Sequence, residues 1–204
     1  GVFRTLRATG GQLRHWPRHC RKLQQDCAAL DLPCPDASLL LEELQRLVGG
    51  QADGVAKIII SRGVGARGYA PASQSTPTRI LSFTPFTPYP GEFYTQGVKL
   101  RVCNLRLAHQ PRLAGIKHLN RLENVLAAAE WDDAGIAEGL LLDVAGNVIE
   151  GTRSNLFMVR GGVLLTPELV NQFAEEMRTN HPALTAAAAR TNAAAAAVTA
   201  VRTW

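Results

Sequence analysis

Leu113-Ala-Gly-Ile-Lys117-His-Leu-Asn-Arg121-Leu-Glu-Asn124 sets a single lysine in an otherwise apolar turn, directly ahead of a helical pattern. With Ala114-Gly115-Ile116 before it, the Lys117 amine is expected to be held partly out of water. Desolvation disfavours the ammonium form, lowers a lysine's pKa and leaves a usable nucleophile. Such an amine suits condensation with a carbonyl. Judged by these residues alone, a solvated surface lysine is the commoner reading, because few lysines in proteins are perturbed.

Downstream of the turn, Asn120 to Ala134 carries helical periodicity, with Leu122, Val125, Leu126 and Ala129 inward and Gly135 as the stop. Glu138 to Ile149 reads as a hairpin turning at Ala145-Gly146-Asn147. Asn155 to Val159 and Val163 to Leu165 read as another, turning at Gly161-Gly162. Glu150 falls in the link between them, where a carboxylate is ordinarily solvated. Upstream, Val98 to Leu107 reads as a strand. Pro85, Pro88 and Pro90 stiffen a connector through Tyr89, which marks the domain boundary: 1–86, a linker over 87–95, and 96–204.

Within 1–86, Val2 to Ala8 reads as a strand, Thr9-Gly10-Gly11 as a turn and Leu13 to Trp16 as the return strand. Pro17 opens a helix whose face is Cys20, Leu23, Cys27 and Leu30. Asp36 or Ser38 caps a second helix, with Leu40, Leu44 and Leu47 inward and Gly49-Gly50 as the stop. Val55 to Ser61, Lys57 aside, is a continuous apolar run and reads as a strand buried on both faces. Arg79 to Thr84 is a further strand.

Several chemistries are disfavoured. The +5 net charge is scattered, without a basic block interleaved with aromatics, so nucleic-acid binding is not indicated. No apolar run is long enough for a membrane span, and no signal pattern is visible, so a cytoplasmic setting is expected. Cys20, Cys27, Cys34 and Cys103 contain no C-x-x-C pair and read as free thiols. His15 and His19 have a metal-like spacing, but Pro17 between them argues against one continuous helix and hence against a metal site. Gly63-Val-Gly-Ala-Arg67-Gly68 matches G-x-G-x-x-G literally. The nucleotide reading needs a helix straight afterwards, which Tyr69-Ala70-Pro71 does not supply. A loop that lets Arg67 reach an anionic substrate fits better, against a plain surface turn.

Three blocks in order carry a family resemblance that runs from residue 1 to about Leu169. Ile116-Lys117-His-Leu-Asn-Arg-Leu-Glu-Asn124 resembles the lysine motif of the aminodeoxychorismate lyases. These are fold type IV pyridoxal-phosphate enzymes, grouped with the branched-chain and D-amino-acid aminotransferases. Val148-Ile-Glu150-Gly-Thr-Arg-Ser154-Asn155-Leu-Phe157 resembles the family's cofactor-ring motif, and Ile60-Ser-Arg62-Gly-Val-Gly-Ala-Arg67-Gly-Tyr69 the lyases' glycine-rich loop. The resemblance implies an α+β fold: a small α/β domain and a larger pseudo-barrel-like β domain with helices.

It also implies roles. Lys117 would carry pyridoxal 5'-phosphate, and Glu150 would face the pyridine nitrogen and keep it protonated, which improves the ring as an electron sink. Thr5 matches an active-site threonine, Arg67 and Tyr69 match positions facing substrate carboxylates, and Ser154 and Asn155 lie next to the cofactor in relatives. Where relatives place an arginine in His-x-x-Arg-Leu for the cofactor phosphate, this chain has Lys22 in His19-Cys-Arg-Lys22-Leu23. Lysine is a point charge that can hold a phosphate but not grip it bidentately.

The phosphate cup after Thr166-Pro167 is not recognisable. Residues 185–204 form an atypical tail, helical by alanine propensity, and the start reads as truncated. The implied reaction eliminates pyruvate from 4-amino-4-deoxychorismate, giving 4-aminobenzoate, a folate precursor, in a homodimer. The competing readings are a transaminase of the same fold and a cofactor-free binding domain.

Overall fold

The computed structural model describes residues 1–50, 53–65, 67–71, 75–167 and 198–201. These form two compact units. The first is Gly1–Pro88 with Pro111–Asn120; the second is Tyr89–Gln110 with the described residues from Arg121 onward. The lysine turn, which a linear boundary near residue 90 assigns to the second domain, thus clusters with the first. Its backbone bonds to the N-terminal strand, described below, are the reason.

The first unit is an antiparallel sheet with helices on one face. Its strands are β1 (Val2–Thr9), β2 (Gln12–Leu13), β3 (Gly54–Ser61) and β4 (Thr78–Pro85), in the order β2-β1-β3-β4. Helix α1 (Trp16–Ala29) buries Cys20, Leu23 and Cys27, and α2 (Ala37–Val48) buries Leu40, Leu44 and Val48. Asp36 caps α2 by accepting from the N–H groups of Ser38 and Leu39, satisfying donors the helix cannot. The core joins Val2, Leu6 and Ala8 of β1 to Ala56, Ile58 and Ile60 of β3 and to both helices.

Several expectations need correction here. The return strand is only Gln12–Leu13; Trp16 already opens α1, where Pro17 fits the first turn. Strand β3 is not buried on both faces: Ala56, Ile58 and Ile60 are buried while Val55, Lys57 and Ile59 are only partly so. An antiparallel sheet with helices on one side leaves its other face open, whatever the apolar content of the run. In α2 Val48 turns inward and Leu47 outward.

The second unit has helix α3 (Glu92–Thr95), which the proline-rich stretch did not announce. A sheet β5-β6-β7 follows, of Lys99–Leu107, Ile136–Asp143 and Val148–Gly151, and a sheet β10-β8-β9, of Val198–Val201, Asn155–Arg160 and Val163–Leu165. Both expected hairpins form at the expected turns. Strand β10 lies within the tail read as helical; Val198, Thr199 and Val201 suit a strand paired to β8. The phosphate cup and the rest of the tail lie outside the described residues.

Helix α4 covers only Leu122–Ala128, not Asn120–Ala134. It ends because the Glu130 carboxylate accepts the N–H groups of Asn104 (2.7 Å) and Leu105 (2.8 Å) and pairs with Arg101, which turns the chain onto β5. The expected inward residues Leu122, Val125 and Leu126 are exposed; Ala127 is the buried one. No helix among the described residues is long and apolar enough to cross a membrane. All four cysteines are free thiols, and burial with the neighbouring Cys34 pushes Cys27 up to about 12.

Candidate active site

The lysine turn is fastened to β1. A short 3-10 turn at Pro111–Leu113 leads to Gly115 at φ +74, a backbone region that glycine enters without strain. Strand β2 pairs only with Ala8 and Thr9, which leaves the first half of β1 with an edge. Residues 117–119 take that edge. The Phe3 N–H donates to the Lys117 carbonyl (2.9 Å), the Leu119 N–H donates to the Gly1 carbonyl (2.9 Å), and Val2 pairs with His118.

Strand alternation then decides where the side chains go. His118 shares the core face with Val2. Lys117 shares the open face with Phe3, and its Nζ lies 5.2 Å from the Phe3 ring centroid. Thr5 stands two residues along that face, directly opposite Lys57, whose Nζ also lies 5.2 Å from the Phe3 ring. The open face of the sheet thus gathers Thr5, Lys57 and a half-buried Lys117 about one aromatic ring. Sequence reasoning set Lys57 aside as an exception in an apolar strand. A lone charge interrupting such a run was the available signal.

Beneath the edge lies a buried charge cluster. The Asp26 carboxylate on α1 is 1% exposed. It accepts a hydrogen bond from Lys22 Nζ, one helical turn earlier, accepts from the Lys117 backbone N–H (3.3 Å) and faces Arg4 Nη1 at 3.7 Å. Lys22 Nζ donates a second bond to the Gly115 carbonyl (2.7 Å).

His19 is buried beside them. Burial first, then the positive charges of Arg4, His15, Lys117 and Arg18, lower its pKa to about 4, so it is neutral at pH 7. Arg4 Nε and His19 Nδ1 are buried without a hydrogen-bond partner. Unsatisfied buried polar atoms are rare, and here they sit where several cations surround one carboxylate. The cluster fits an anionic group, and the amine on the open face fits an aldehyde.

In the second unit the tail of the lysine motif holds Glu150. Asn124 Nδ2 donates to Glu150 Oε1 (3.4 Å) and to the Thr152 carbonyl (3.0 Å), and Arg121 Nη1 pairs with Glu150 at 3.7 Å. Arg121 and Asn124 lie three apart, hence on one side of a helix start. This gives their spacing a physical meaning.

Glu150 lies within β7, opposite Leu141, and not in a link between hairpins; the turn that follows it is built on Glu138 of β6, which sequence reasoning did not single out. The buried Glu138 carboxylate accepts from the Thr152 hydroxyl, from Ser154 Oγ (2.6 Å) and from the Gly139 N–H (3.0 Å). A Cβ at Gly151 would meet Ser154 Oγ at 2.5 Å, so only glycine fits there. The Ser154 proton is directed to Glu138, which leaves its lone pairs to face anything else. Asn155 is exposed at the start of β8.

The glycine-rich loop stands apart from these groups. Arg62 anchors its base, donating to the carbonyls of Leu30 (2.6 Å) and Asp31 (2.8 Å) beyond α1. Gly63 has no room for a side chain, because a Cβ would lie 1.9 Å from the Thr76 carbonyl oxygen. Arg67 is exposed, and Tyr69 is fully so at 105%. The first unit therefore sets Lys117 and Thr5 on one sheet face, holds the lysine turn from the helix side through Lys22, and leaves Arg67 and Tyr69 exposed. The second brings together Glu150 and Ser154.

Residues 1–174 match the amino-transferase class IV family, and the chain belongs to it. Among known proteins it is 39% identical over 170 residues to the aminodeoxychorismate lyase of Vibrio harveyi, covering 83% of this chain and 62% of that protein. Among solved structures, the 4-amino-4-deoxychorismate lyase of Pseudomonas aeruginosa is 50% identical, with a TM-score of 0.75 over 81% of this chain and 61% of that one. The branched-chain amino acid aminotransferase of Escherichia coli shares the fold at 24% identity, with a TM-score of 0.70 over 81% of this chain and 58% of that one. The chain thus spans about three fifths of the length of these relatives.

Proposed function

We propose that this chain carries the lysine half and part of the cofactor site of a pyridoxal-phosphate lyase. The reaction converts 4-amino-4-deoxychorismate to 4-aminobenzoate and pyruvate. The observation that supports it most is the attachment of residues 117–119 to the β1 edge, which sets Lys117 on the same sheet face as Thr5. Pyridoxal phosphate, when bound, supplies an aldehyde for amines and a ring that accepts an electron pair.

The residues do the rest. Lys117 Nζ holds the cofactor, then takes the proton from the substrate ring carbon that bears nitrogen. As the carbon–oxygen bond to the enolpyruvyl group breaks and the substrate ring becomes aromatic, Lys117 returns that proton to the leaving group, aided by the Thr5 hydroxyl. Glu150 keeps the pyridine nitrogen protonated, and Arg121 and Asn124 hold Glu150 ready for that task. Lys22 offers the phosphate its remaining N–H. Lys57, with Arg67 and Tyr69 of the glycine-rich loop, supplies charge and hydrogen bonds for the substrate carboxylates. Ser154 and Asn155 border the cofactor. The same reading has the protein working as a cytoplasmic homodimer.

The test is product analysis. Aminobenzoate released without 2-oxoglutarate supports the lyase; amino transfer that requires 2-oxoglutarate replaces it with a transaminase. Lys117→Ala should abolish the visible absorbance that pyridoxal phosphate gains on binding. An unchanged spectrum in that variant ends both readings and leaves a binding domain.

A further inference from the structure

Resting on that reading, we infer that Asp26 is a positioning residue for Lys117: through Lys22 it holds the turn from which the reactive amine projects. The turn has one firm side and one soft side. After Lys117, backbone bonds to β1 fix the chain. Before it, the Ala114 and Ile116 N–H groups only bond back within the turn, to the Pro111 and Leu113 carbonyls (3.2 Å each), and Gly115 at φ +74 has nothing within 4 Å of where a Cβ would be. Two backbone groups on the soft side, the Gly115 carbonyl and the Lys117 N–H, need partners other than β1. The Lys22–Asp26 pair supplies both. Lys22 Nζ donates to the Gly115 carbonyl at 2.7 Å and to Asp26, while Asp26 accepts the Lys117 N–H at 3.3 Å.

The pair is spaced i, i+4 on α1, so an acceptor and a donor face the turn side by side. Arg4 Nη1 at 3.7 Å ties the same carboxylate to β1, the strand that bears Thr5. One buried carboxylate therefore references helix, strand and turn to each other. Its burial makes each bond matter more, because water cannot replace a lost partner.

The consequence for Lys22 is direct. Its ammonium is shared between Asp26 and Gly115, so Lys22 contributes to the alignment of Lys117 as well as to any phosphate. A probe without phosphate separates the two roles. We would expose the cofactor-stripped protein to pyridoxal, trap adducts with borohydride, and compare labelling of the Lys117 peptide with that of the surface Lys99 peptide. Thermal unfolding and circular dichroism would confirm folding.

Wild-type protein should label Lys117 preferentially. Asp26→Leu, which keeps the branching at Cγ but removes both acceptors, should lower the Lys117-to-Lys99 ratio about tenfold, the scale of one buried charge-assisted hydrogen bond. Asp26→Asn, which keeps one acceptor oxygen, should lower it less. Lys22→Met should lower it too, although pyridoxal has no phosphate for Lys22 to bind.

If Asp26→Leu fails to fold, Asp26→Asn and Lys22→Met decide. Folded variants that label Lys117 at the wild-type ratio overturn the inference, as that result would assign Asp26 to scaffolding only. Absence of preferential Lys117 labelling in the wild-type protein overturns the proposed function itself, and this inference with it.

Discussion

The two units handle apolar surface in opposite ways. In the first, twelve buried residues from β1, β3, α1, α2 and the connections between them form one cluster. In the second, the buried cluster among the described residues is Cys103, Ala127 and Leu141, while Leu122, Val125, Leu126, Val159, Val163 and Leu164 are exposed. Each unit also buries a carboxylate: Asp26 beneath the lysine turn, Glu138 beneath the turn that follows Glu150 in β7. The first unit holds the lysine turn with a filled core and a charge cluster. The second relies mainly on hydrogen bonds to one carboxylate. Rigidity at the two sites therefore has different sources, and substitutions should separate them.

The largest effect is expected in the filled core. Leu44 is fully buried among both helices and the sheet, so Leu44→Ala should destabilise the first unit by about 2–5 kcal/mol, through lost transfer energy and a residual cavity. Denaturant unfolding measures it. A loss of less than about 1 kcal/mol would mean that the site collapses around the cavity and that the contrast in packing is overstated.

Acid should separate the units next. An unfolded histidine titrates near 6.5, whereas burial and the surrounding cations bring folded His19 to about 4. Between those values the unfolded chain binds the extra proton. The His19 contribution is therefore whole above pH 6.5 and is lost as pH falls toward 4, on the order of 3 kcal/mol at most. In the second unit, burial pushes Glu130 up, but the N–H groups of Asn104 and Leu105 with Arg101 and Arg106 outweigh it and hold it below the usual carboxylate range. That contribution is present above the ordinary glutamate pKa and is lost only at lower pH. Amide protection factors in β1 should thus fall at a higher pH than those in β6. His19→Gln should remove the difference.

Glu138 tests the other side of the comparison. Glu138→Gln keeps the shape but turns one acceptor into a donor facing the Thr152 and Ser154 hydroxyls. A loss of about 1–3 kcal/mol is expected, with faster amide exchange at 150–155 and none of it at β1. Equal loosening in both units would show that the loop is not held locally.

How far these features could be read in advance follows from where their partners lie. Strand β1, helix α1 and the two hairpins were legible, because alternation, helical period and glycine turns are local. The burial of β3 was not: a run of isoleucines is the same letters whether one face is covered or both. Lys117 and Glu150 stood out through likeness to a family, and their chemistry alone would have left them ordinary. Asp26 was invisible, since its partner N–H lies 91 residues away. Glu138 was invisible too, since a carboxylate on a strand defaults to solvent. Lys57 is visible in the sequence as a lone charge in an apolar run, but only the register sets it opposite Thr5.

The smallest expected effect is the most pointed test of the contrast. On α4 the period of Leu122, Val125 and Leu126 predicts a buried stripe, yet Leu126 is 60% exposed. Periodicity reports a capacity to be covered, and only the fold reports whether cover is present. Leucine and alanine are both strong helix formers, so Leu126→Ala changes little besides that exposed side chain. Its effect on unfolding of this chain should stay within about 0.5 kcal/mol, well below Leu44→Ala. A loss comparable to the Leu44 variant would mean that the stripe is covered in solution. The second unit would then have a core of its own, and the difference between the units would lie in the site rather than in the packing.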